Sequence, residues 1–395
     1  MDQQVEIINK YELLMQKKLI IKNVRTQKQR KSSIKILMPF WRLENFDRFY
    51  PRIFSIAKRV KEFHISYISG IPKTEWKKLC TFHKIKLSSN ISENFIIQRL
   101  SRNFIIRWIL NRQSLCKQVK DIEVDLYWGL SGWWTQEFCY DCSQRMKKPY
   151  IIDIRGDFKK EVEAKKINWI KRLLSNYRKI KSLKKADLII PISKKMKITA
   201  LNLGIDRNKI SEVVTPGLDT DMFKPYKIKS EKFTVGYAGR LSPEKGINTL
   251  IKIMKLAPEI NFLVAGEKQI NVKFPKNCTY LGRLPFKEMP HFYNKVDVII
   301  VPSKFESFGF VFLETYACGK PLITSKEIHP PNLPIYGFAI ENPTIHDYLK
   351  YIRKIKDNVS LKRSSEIRKY IESRYSWEYY GEKMIKLFEN VIARA

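Results

Sequence analysis

This sequence of 395 residues has no long apolar runs, and its acidic residues are few compared with its basic ones. No window contains the roughly 18 consecutive apolar residues that a membrane-spanning helix needs. The first residues also lack a charged segment followed by an apolar core, the pattern that is typical of a secretory signal. We therefore expect a cytoplasmic protein, or one that lies peripherally on the cytosolic face of a membrane.

Cysteine is scarce as well. Of the six cysteines, Cys139 and Cys142 form a lone CxxC pair. A zinc site needs further ligands, and no second pair supplies them. Because aromatic residues flank the pair, we interpret this segment as a packed helix with reduced thiols, and metal or redox use is the alternative.

The shortage of acidic residues leaves the chain strongly basic. It contains 39 Asp and Glu against 75 Lys and Arg, which gives a formal net charge of +36. Such a charge attracts polyanions, namely nucleic acid, anionic lipid or phosphorylated substrates. Charge alone does not choose among these partners. A genome that favours Lys and Ile codons is the alternative explanation for part of the positive charge.

Apolar runs of strand length alternate with helix-length segments along most of the chain. This alternation predicts parallel sheets covered by helices on both faces, and the length exceeds what one core can fill. We therefore predict an α/β protein with two Rossmann-like domains, including helices over residues 94–116 and 159–184 of the first. The predicted ranges are 1–31 for a leading helix and basic linker, 32–225 for the first domain, 226–375 for the second, and 376–395 for a terminal helix that packs back towards the first domain.

Two carboxylates follow a predicted strand of the second domain, at residues 297–303. Glu306 lies in the loop after this strand, and Glu314 lies on a short helix that begins near Gly309. Loops at the carboxyl ends of parallel strands form ligand-binding crevices, and helix N-termini favour anions. Carboxylates beside an anion site suit a ligand that carries hydroxyls and phosphates. The alternative is that both glutamates are solvated.

Four stretches, in this order, resemble the GT-B glycosyltransferases of family 4, which transfer a sugar from a nucleotide-sugar with retention of anomeric configuration. They are ADLIIPIS at 186–193, TPGLDTDMF at 215–223, GYAGRLSPEKG at 236–246 and ESFGFVFLE at 306–314. The resemblance lies mainly within residues 186–387. It implies the GT-B architecture, in which two Rossmann-like domains with parallel sheets face each other across a cleft, the first binding the acceptor and the second the nucleotide-sugar donor.

The resemblance also implies roles for individual residues. In this family the Arg and Lys of an R-x4-K segment bind the donor diphosphate, and the two Glu of E-x7-E contact the hexose and the ribose. These positions are Arg240, Lys245, Glu306 and Glu314 here, and the first three are the catalytic candidates. Fixed cations suit the reaction, because the departing diphosphate gains charge as the glycosidic bond breaks. The other expected donor-binding residues are Gly239, Ser307, Phe308 and Gly309.

We expect neither a metal nor a cofactor. Asp219 and Asp221 form a DxD triplet, the metal signature of the other large glycosyltransferase fold, but the triplet lies in a segment that resembles the family's connection between domains. Arg240 and Lys245 already supply the cations that a metal would provide. The nucleotide-sugar, which we expect to be UDP- or GDP-linked, is a co-substrate, and the expected acceptor is a glycan or a lipid-linked molecule.

The first domain departs from the family pattern. The loop after its first strand lacks the Gly-Gly pair that brings backbone amides to the phosphates, and the usual histidine is missing. Arg155 and Asp157 are the candidate substitutes, Arg155 for a phosphate contact and Asp157 for an acceptor hydroxyl. An ion pair at a strand end is the alternative for either residue.

The two predicted basic helices of the first domain carry bulky apolar side chains among their cations. This composition suits an anionic membrane surface as well as an ordinary core face. Two other functions stay open. One is a nucleic-acid-binding protein on a degenerate GT-B fold, although the sequence has no RNP, KH or zinc-finger pattern. The other is a nucleotide-sugar epimerase or a phosphorylase of the same architecture.

Overall fold

The computed structural model describes residues 32–40, 46–69, 91–97, 116–130, 133–156, 169–226, 228, 232–357 and 364–395. The predicted leading helix of residues 1–31 lies outside these ranges, as do Asp157 and most of the predicted helix over residues 94–116. The described chain forms two six-stranded sheets in which neighbouring strands are parallel. The predicted α/β fold with two parallel sheets is confirmed.

The first sheet and its helices come from the first half of the chain. They are β1 (Ser32–Phe40), α1 (Phe46–Ala57), β2 (Val60–Ser69), β3 (Ile91–Ile97), β4 (Leu126–Leu130), α2 (Trp133–Met146), β5 (Tyr150–Ile154), α3 (Trp169–Lys185), β6 (Leu188–Pro191) and α4 (Lys194–Asn202). The strand order is β3-β2-β1-β4-β5-β6. All five residues of β5 and all four of β6 are buried, which is the pattern of strands covered on both faces.

Strand β3 shows that the helix predicted over residues 94–116 is wrong at its start. Phe95 and Ile96 were assigned to that basic helix, but they lie in a strand that pairs in parallel with β2. Apolar residues continue at helical spacing after residue 97. This periodicity placed the start of the predicted helix too early, within the strand. A short apolar run of this kind does not distinguish strand from helix, and only the distant pairing with β2 does.

The second sheet and its helices follow the same alternation. They are β7 (Thr234–Ala238), α5 (Ile247–Leu256), β8 (Asn261–Ala265), β9 (Cys278–Tyr280), α6 (Met289–Lys295), β10 (Val298–Val301), α7 (Phe310–Ala317), β11 (Leu322–Ser325), β12 (Gly337–Ile340) and α8 (Ile345–Asp357). The strand order is β12-β11-β10-β7-β8-β9. Strands β7 and β10 are therefore neighbours in the middle of the sheet, and their following loops lie at the same edge.

Two helices complete the chain, α9 (Ser364–Tyr375) and α10 (Trp377–Ile392). The Ser376 hydroxyl caps α10 by accepting a hydrogen bond from the Tyr379 amide. The buried face of α10 includes Tyr380, Met384 and Phe388, which join the core formed by β1, β4 and α1 of the first domain. The last helix of the chain thus packs on the first domain.

The chain crosses between the domains twice, and the two crossings touch. The Leu218 amide donates to the Tyr375 carbonyl at 2.6 Å. Gly217 lies so close to Trp377 that a β-carbon there would be 2.8 Å from the tryptophan backbone. The first crossing is also held by Arg368 of α9, whose guanidinium donates to the carbonyls of Thr220 and Phe223.

Candidate active site

Lys245 and Glu306 meet at the carboxyl edge of the second sheet. Lys245 ends a short 3₁₀ turn after β7, and Glu306 lies in the loop between β10 and α7. The Lys245 ammonium is 2.7 Å from Glu306 Oε1, and the Ser303 hydroxyl donates to the same oxygen at 3.0 Å. Both side chains are largely buried, so the pair is oriented by the protein rather than by solvent. The sequence predicted both residues here, but not their pairing.

Backbone contacts hold the two loops together. A β-carbon at Gly246, whose φ is +75°, would lie 2.0 Å from the carbonyl oxygen of Pro302. Only glycine permits both this left-handed conformation and this close approach. In addition, the Lys304 amide donates to the Glu244 carbonyl at 2.9 Å. The end of the turn after β7 is thereby fixed against the start of the loop that carries Glu306.

Tyr237 is a residue of this site that the sequence did not reveal. It lies on β7, and its hydroxyl is 2.9 Å from the carbonyl oxygen of Arg240 and 3.2 Å from that of Lys245. The hydroxyl therefore bridges the two ends of the segment that carries both predicted phosphate-binding cations. Its sequence position reads only as an apolar residue of a strand, so no pattern could have identified it.

Arg240 is placed differently from Lys245. Its side chain is 55% exposed and lies 3.4 Å from Glu244 Oε1, a partner one helical turn further along the chain. An exposed pair of this kind is worth at most about 1 kcal/mol, so Arg240 is available to a stronger anionic partner. The structure thus brings Arg240 to the same turn as Lys245, while the contact of Arg240 with a donor stays a prediction.

The segment before α7 has the predicted loop-to-helix form. Gly309, at φ +78°, is the residue before the first turn of α7, and Phe308 is buried against Phe310. This geometry turns the chain from the loop into the helix and presents the first amides of α7 at the sheet edge. Gly239 lies at the end of β7, where its amide donates to the Ala265 carbonyl at 3.0 Å. The donor-binding roles of Gly239, Ser307, Phe308 and Gly309 remain predictions.

Glu314 is buried in α7, where the Tyr293 hydroxyl donates to its Oε2 at 2.7 Å. This hydrogen bond orients the carboxylate and was not foreseen from the sequence. The carboxylate also borders a small cavity between the domains. The cavity is lined by Pro51, Gly217, Leu218, Asp219, Phe286, Phe310, Glu314 and Trp377. Glu314 therefore lies near the interdomain space, and its contact with the donor ribose stays a prediction.

The first domain contributes a buried charge network at the end of β5. The Arg52 guanidinium of α1 is bonded to Asp153 Oδ2, and the Trp128 indole donates to Asp153 Oδ1 at 2.9 Å. Arg155, the predicted phosphate contact, has its Nη2 3.8 Å from Asp153. The structure thus places Arg155 in the ion pair at a strand end that was the alternative interpretation. Its proposed partner in substrate binding, Asp157, lies outside the described residues.

A lysine of the first domain reaches the loop between β10 and α7 of the second. The Lys195 ammonium lies 3.8 Å from the centroid of the Phe305 ring, next to Glu306 in the chain. Sequence reasoning did not select Lys195, because it is one of several lysines in α4 and nothing in the pattern distinguishes it. Only the packing of the two domains brings it to the site.

The DxD triplet and the CxxC pair, the two motifs that resemble metal sites, make contacts that stabilise the fold. Asp219 Oδ1 accepts hydrogen bonds from the amides of Asp221 and Met222, so it stabilises a turn in the first crossing. Cys139 and Cys142 are buried in α2, and burial raises the pKa of both thiols well above the usual value. The Cys142 sulfur is 3.0 Å from that of Cys116. In the described ranges, no group of three or more His, Cys, Asp or Glu is placed to hold a metal ion.

Comparison with known proteins finds similarity in part of the chain. A family model described as Glycosyl transferases group 1 matches residues 219–383, which include the Lys245–Glu306 pair. This match covers less than half of the chain. A D-inositol 3-phosphate glycosyltransferase of Segniliparus rotundus is 30% identical to this chain over 147 residues, 31% of this chain and 32% of that protein. The capsular polysaccharide biosynthesis glycosyltransferase CapM of Staphylococcus aureus is 24% identical over 239 residues, 53% of this chain and 60% of that protein.

Similarity of fold extends further than similarity of sequence. The structure of Anabaena HepE in complex with UDP and glucose superposes with a TM-score of 0.70, covers 90% of this chain and all of that one, and is 15% identical. At this identity the likeness shows the fold alone, which is that of the GT-B glycosyltransferases. The first curated relatives are matched over less than half of their own length, from 31% to 49%. In the part of the chain described, no helix is long and apolar enough to cross a membrane.

Proposed function

We propose that the protein is a retaining glycosyltransferase of the family 4 type, which moves a hexose from a nucleotide-sugar to an acceptor without a metal. The observation that carries this proposal is the Lys245–Glu306 pair. These residues are 61 positions apart and meet at 2.7 Å, at the edge where the loops after two central parallel strands converge. The group 1 domain that contains them supports the same activity.

The geometry suits a donor whose diphosphate lies beside Lys245 and whose hexose lies beside Glu306. An ammonium group has three donors, so Lys245 can bond Glu306 and a phosphate oxygen together. As the glycosidic bond breaks, the departing diphosphate gains negative charge and is stabilised by Lys245 and Arg240. Each such contact supplies about 3 kcal/mol if it equals a typical oxyanion donor. Glu306, held by Ser303 and Lys245, is oriented to accept hydrogen bonds from sugar hydroxyls.

The donor and the acceptor are proposed by class. HepE of Anabaena is solved with UDP and glucose, which supports a UDP-sugar as the first donor to test, with GDP- and ADP-sugars beside it. CapM of Staphylococcus aureus acts in capsular polysaccharide biosynthesis, which supports a glycan or lipid-linked acceptor. A thermal-shift panel of the three donor classes identifies the base, because a ligand that binds the folded state raises the unfolding temperature.

Substitution of the central pair tests the function. We expect Glu306→Ala and Lys245→Ala each to abolish detectable transfer while the unfolding temperature stays close to that of the wild type. Glu259→Ala and Lys252→Ala, at exposed positions of the same domain, are the matched controls. Near-normal turnover by both site variants contradicts the assignment. Product analysis with donor alone, and with added phosphate, identifies an epimerase or a phosphorylase instead.

We also propose that the protein associates with an anionic membrane surface through α4. This helix exposes Ile198 and Leu201, at 57% and 39%, beside the cations Lys194 and Lys197, and it has no acidic residue. Exposed apolar side chains surrounded by lysines suit the interface of an anionic bilayer. The double variant Ile198→Ser/Leu201→Ser should float less with phosphatidylglycerol vesicles than Leu256→Ser, an equally exposed position on α5. Absence of flotation by the wild type at low salt refutes the proposal.

A further inference from the structure

Lys195 of the first domain is held firmly where it meets the second. It is the second residue of α4, whose first turn is capped by the Ser193 hydroxyl accepting from the Met196 amide. Met196 and Ala200, on the opposite face of α4, are fully buried in the core of the first domain. The ammonium of Lys195 therefore extends from a fixed helix start and lies directly over the Phe305 ring, 3.8 Å from its centroid.

Phe305 lies in the loop between β10 and α7 and is contacted by Lys195 of the first domain. The neighbouring residues are held from their own side of the interface: the Lys304 amide donates to the Glu244 carbonyl, and Glu306 is bonded to Ser303 and Lys245. A shift of Phe305 moves Glu306 with it, because adjacent Cα atoms are about 3.8 Å apart at fixed geometry. The position of the first domain is thus linked to the orientation of Glu306.

We propose that Lys195 is a positioning residue, whose contact with the Phe305 ring couples the placement of the first domain to the orientation of Glu306. This inference rests on the proposed function, in which the acceptor is bound by the first domain and the donor by the second. Lys195 acts through Phe305 and does not itself touch the donor. Its effect therefore falls on the step that needs both substrates aligned, and not on the binding of the nucleotide-sugar.

The size of the effect follows from the contact. Lys195 is exposed, and a cation over an aromatic ring at an exposed site contributes about 0.5 to 1 kcal/mol, which corresponds to a change of roughly 2- to 5-fold in rate. We expect Lys195→Met to lower kcat within this range. The donor-dependent rise in unfolding temperature and the KM for the donor should stay as in the wild type. Lys195→Arg should retain most of the activity, because a guanidinium also stacks on an aromatic ring.

Matched variants separate this role from general effects of charge. Arg207→Met removes an exposed cation from the turn after α4 and should leave kcat unchanged. Phe305→Leu keeps an apolar side chain but removes the ring, and the double variant Lys195→Met/Phe305→Leu should be no slower than the slower single variant. Such non-additivity is the signature of two residues that act through one contact.

Several outcomes overturn the inference. One is a kcat for Lys195→Met equal to that of Arg207→Met, and another is an additive loss of kcat in the double variant. A third is a raised KM for the donor with unchanged kcat, which would mean that Lys195 binds the donor. The wild-type enzyme in the same assay tests the proposed function separately. If it shows no transfer, the proposed function fails, and the same cycle is measured on the midpoint of urea unfolding. A coupling free energy of zero between Lys195 and Phe305 in this unfolding measurement overturns the inference. A non-zero coupling free energy supports it.

Discussion

A buried hydroxyl holds the turn that carries both predicted phosphate-binding cations. Tyr237 donates towards the carbonyls of Arg240 and Lys245, and burial, with the nearby charge of Glu306, raises the pKa of this tyrosine. The hydroxyl therefore stays protonated throughout the neutral range. We expect Tyr237→Phe to lower kcat/KM about 2- to 10-fold, because the loss of one hydrogen bond, roughly 0.5–1.5 kcal/mol, lets the turn move. The change in kcat/KM is measured from initial rates over a range of donor concentrations.

The control for this variant is Tyr351→Phe on α8, a tyrosine whose ring packs on Phe338. It changes one hydroxyl in the same domain and should leave kcat/KM as it was. If Tyr237→Phe equals this control, then the backbone contacts at Gly246 and Lys304 hold the turn without the hydroxyl, and Tyr237 has no role in the site.

The candidate residues could be found from the sequence because their spacing identifies them. The side chains that contact and orient them could not be found in this way. Arg240, Lys245, Glu306 and Glu314 stand in short segments whose spacing resembles one family. Some of the partners that orient them come from distant positions: the Tyr293 hydroxyl donates to Glu314 across 21 residues. Partners of this kind are chosen by the packing of strands and helices, and no local pattern records that packing.

Strands and helices were predictable where the segment is buried on one face or on all faces. Strand β10 is a fully buried apolar run, and α5 buries Ile247, Leu250 and Met254 at helical spacing. Strand β3 was missed because it is followed by apolar residues at helical spacing. Among the described strands it lies at the edge of its sheet. Its assignment depends on pairing with β2, an interaction that the segment itself does not specify.

The helix that carries Glu314 packs against a histidine whose titration should affect stability. His329 lies edge-on to Phe312 of α7, and the Tyr316 hydroxyl is 3.1 Å from its Nε2. Burial lowers the pKa of His329 to about 4 from its ordinary 6.5. Between these values the unfolded chain binds more protons than the folded one, so stability is complete above pH 6.5 and is lost progressively as the pH falls towards 4. The loss is at most about 3 kcal/mol, since one pKa unit equals about 1.4 kcal/mol.

Urea unfolding at pH 7 and pH 5 measures this contribution. We expect His329→Gln to be less sensitive to acid than the wild type, because an amide does not titrate but can still accept a hydrogen bond from Tyr316. His346→Gln, at an exposed position on α8, should keep the acid sensitivity of the wild type. Equal acid sensitivity of His329→Gln and the wild type would assign the pH dependence to other groups.

The architecture of the whole chain was predictable, while the contacts that join its two halves were not. Alternating strands and helices predicted two parallel sheets, and both sheets are present. The sequence could not show that Arg52 of α1, Asp153 of β5 and Tyr380 of α10 form one buried network. These residues lie up to 328 positions apart, and their polar types at apolar sites were the only available signal.

This network ties the last helix to the first domain. The Arg52 guanidinium is bonded to Asp153, donates to the Tyr380 hydroxyl at 2.6 Å and lies over the Tyr380 ring. Both charges are almost fully buried, so removing the arginine leaves the Asp153 carboxylate in the core without its bonded cation. We expect Arg52→Met to lower the free energy of unfolding by about 3–5 kcal/mol. Trp128, which donates to Asp153, reports this unfolding by fluorescence in urea.

Lys58→Met is the matched comparison, because Lys58 also joins α1 to α10, through Glu378 at 2.9 Å, but at the surface. Solvent screens an exposed pair, so its loss should cost at most about 1 kcal/mol. Arg52→Met/Asp153→Asn should regain part of the stability that Arg52→Met loses, since the buried charge is then absent. If Arg52→Met is no less stable than Lys58→Met, apolar packing of α10 through Met384 and Phe388 holds the first domain, and the network is not what attaches the helix.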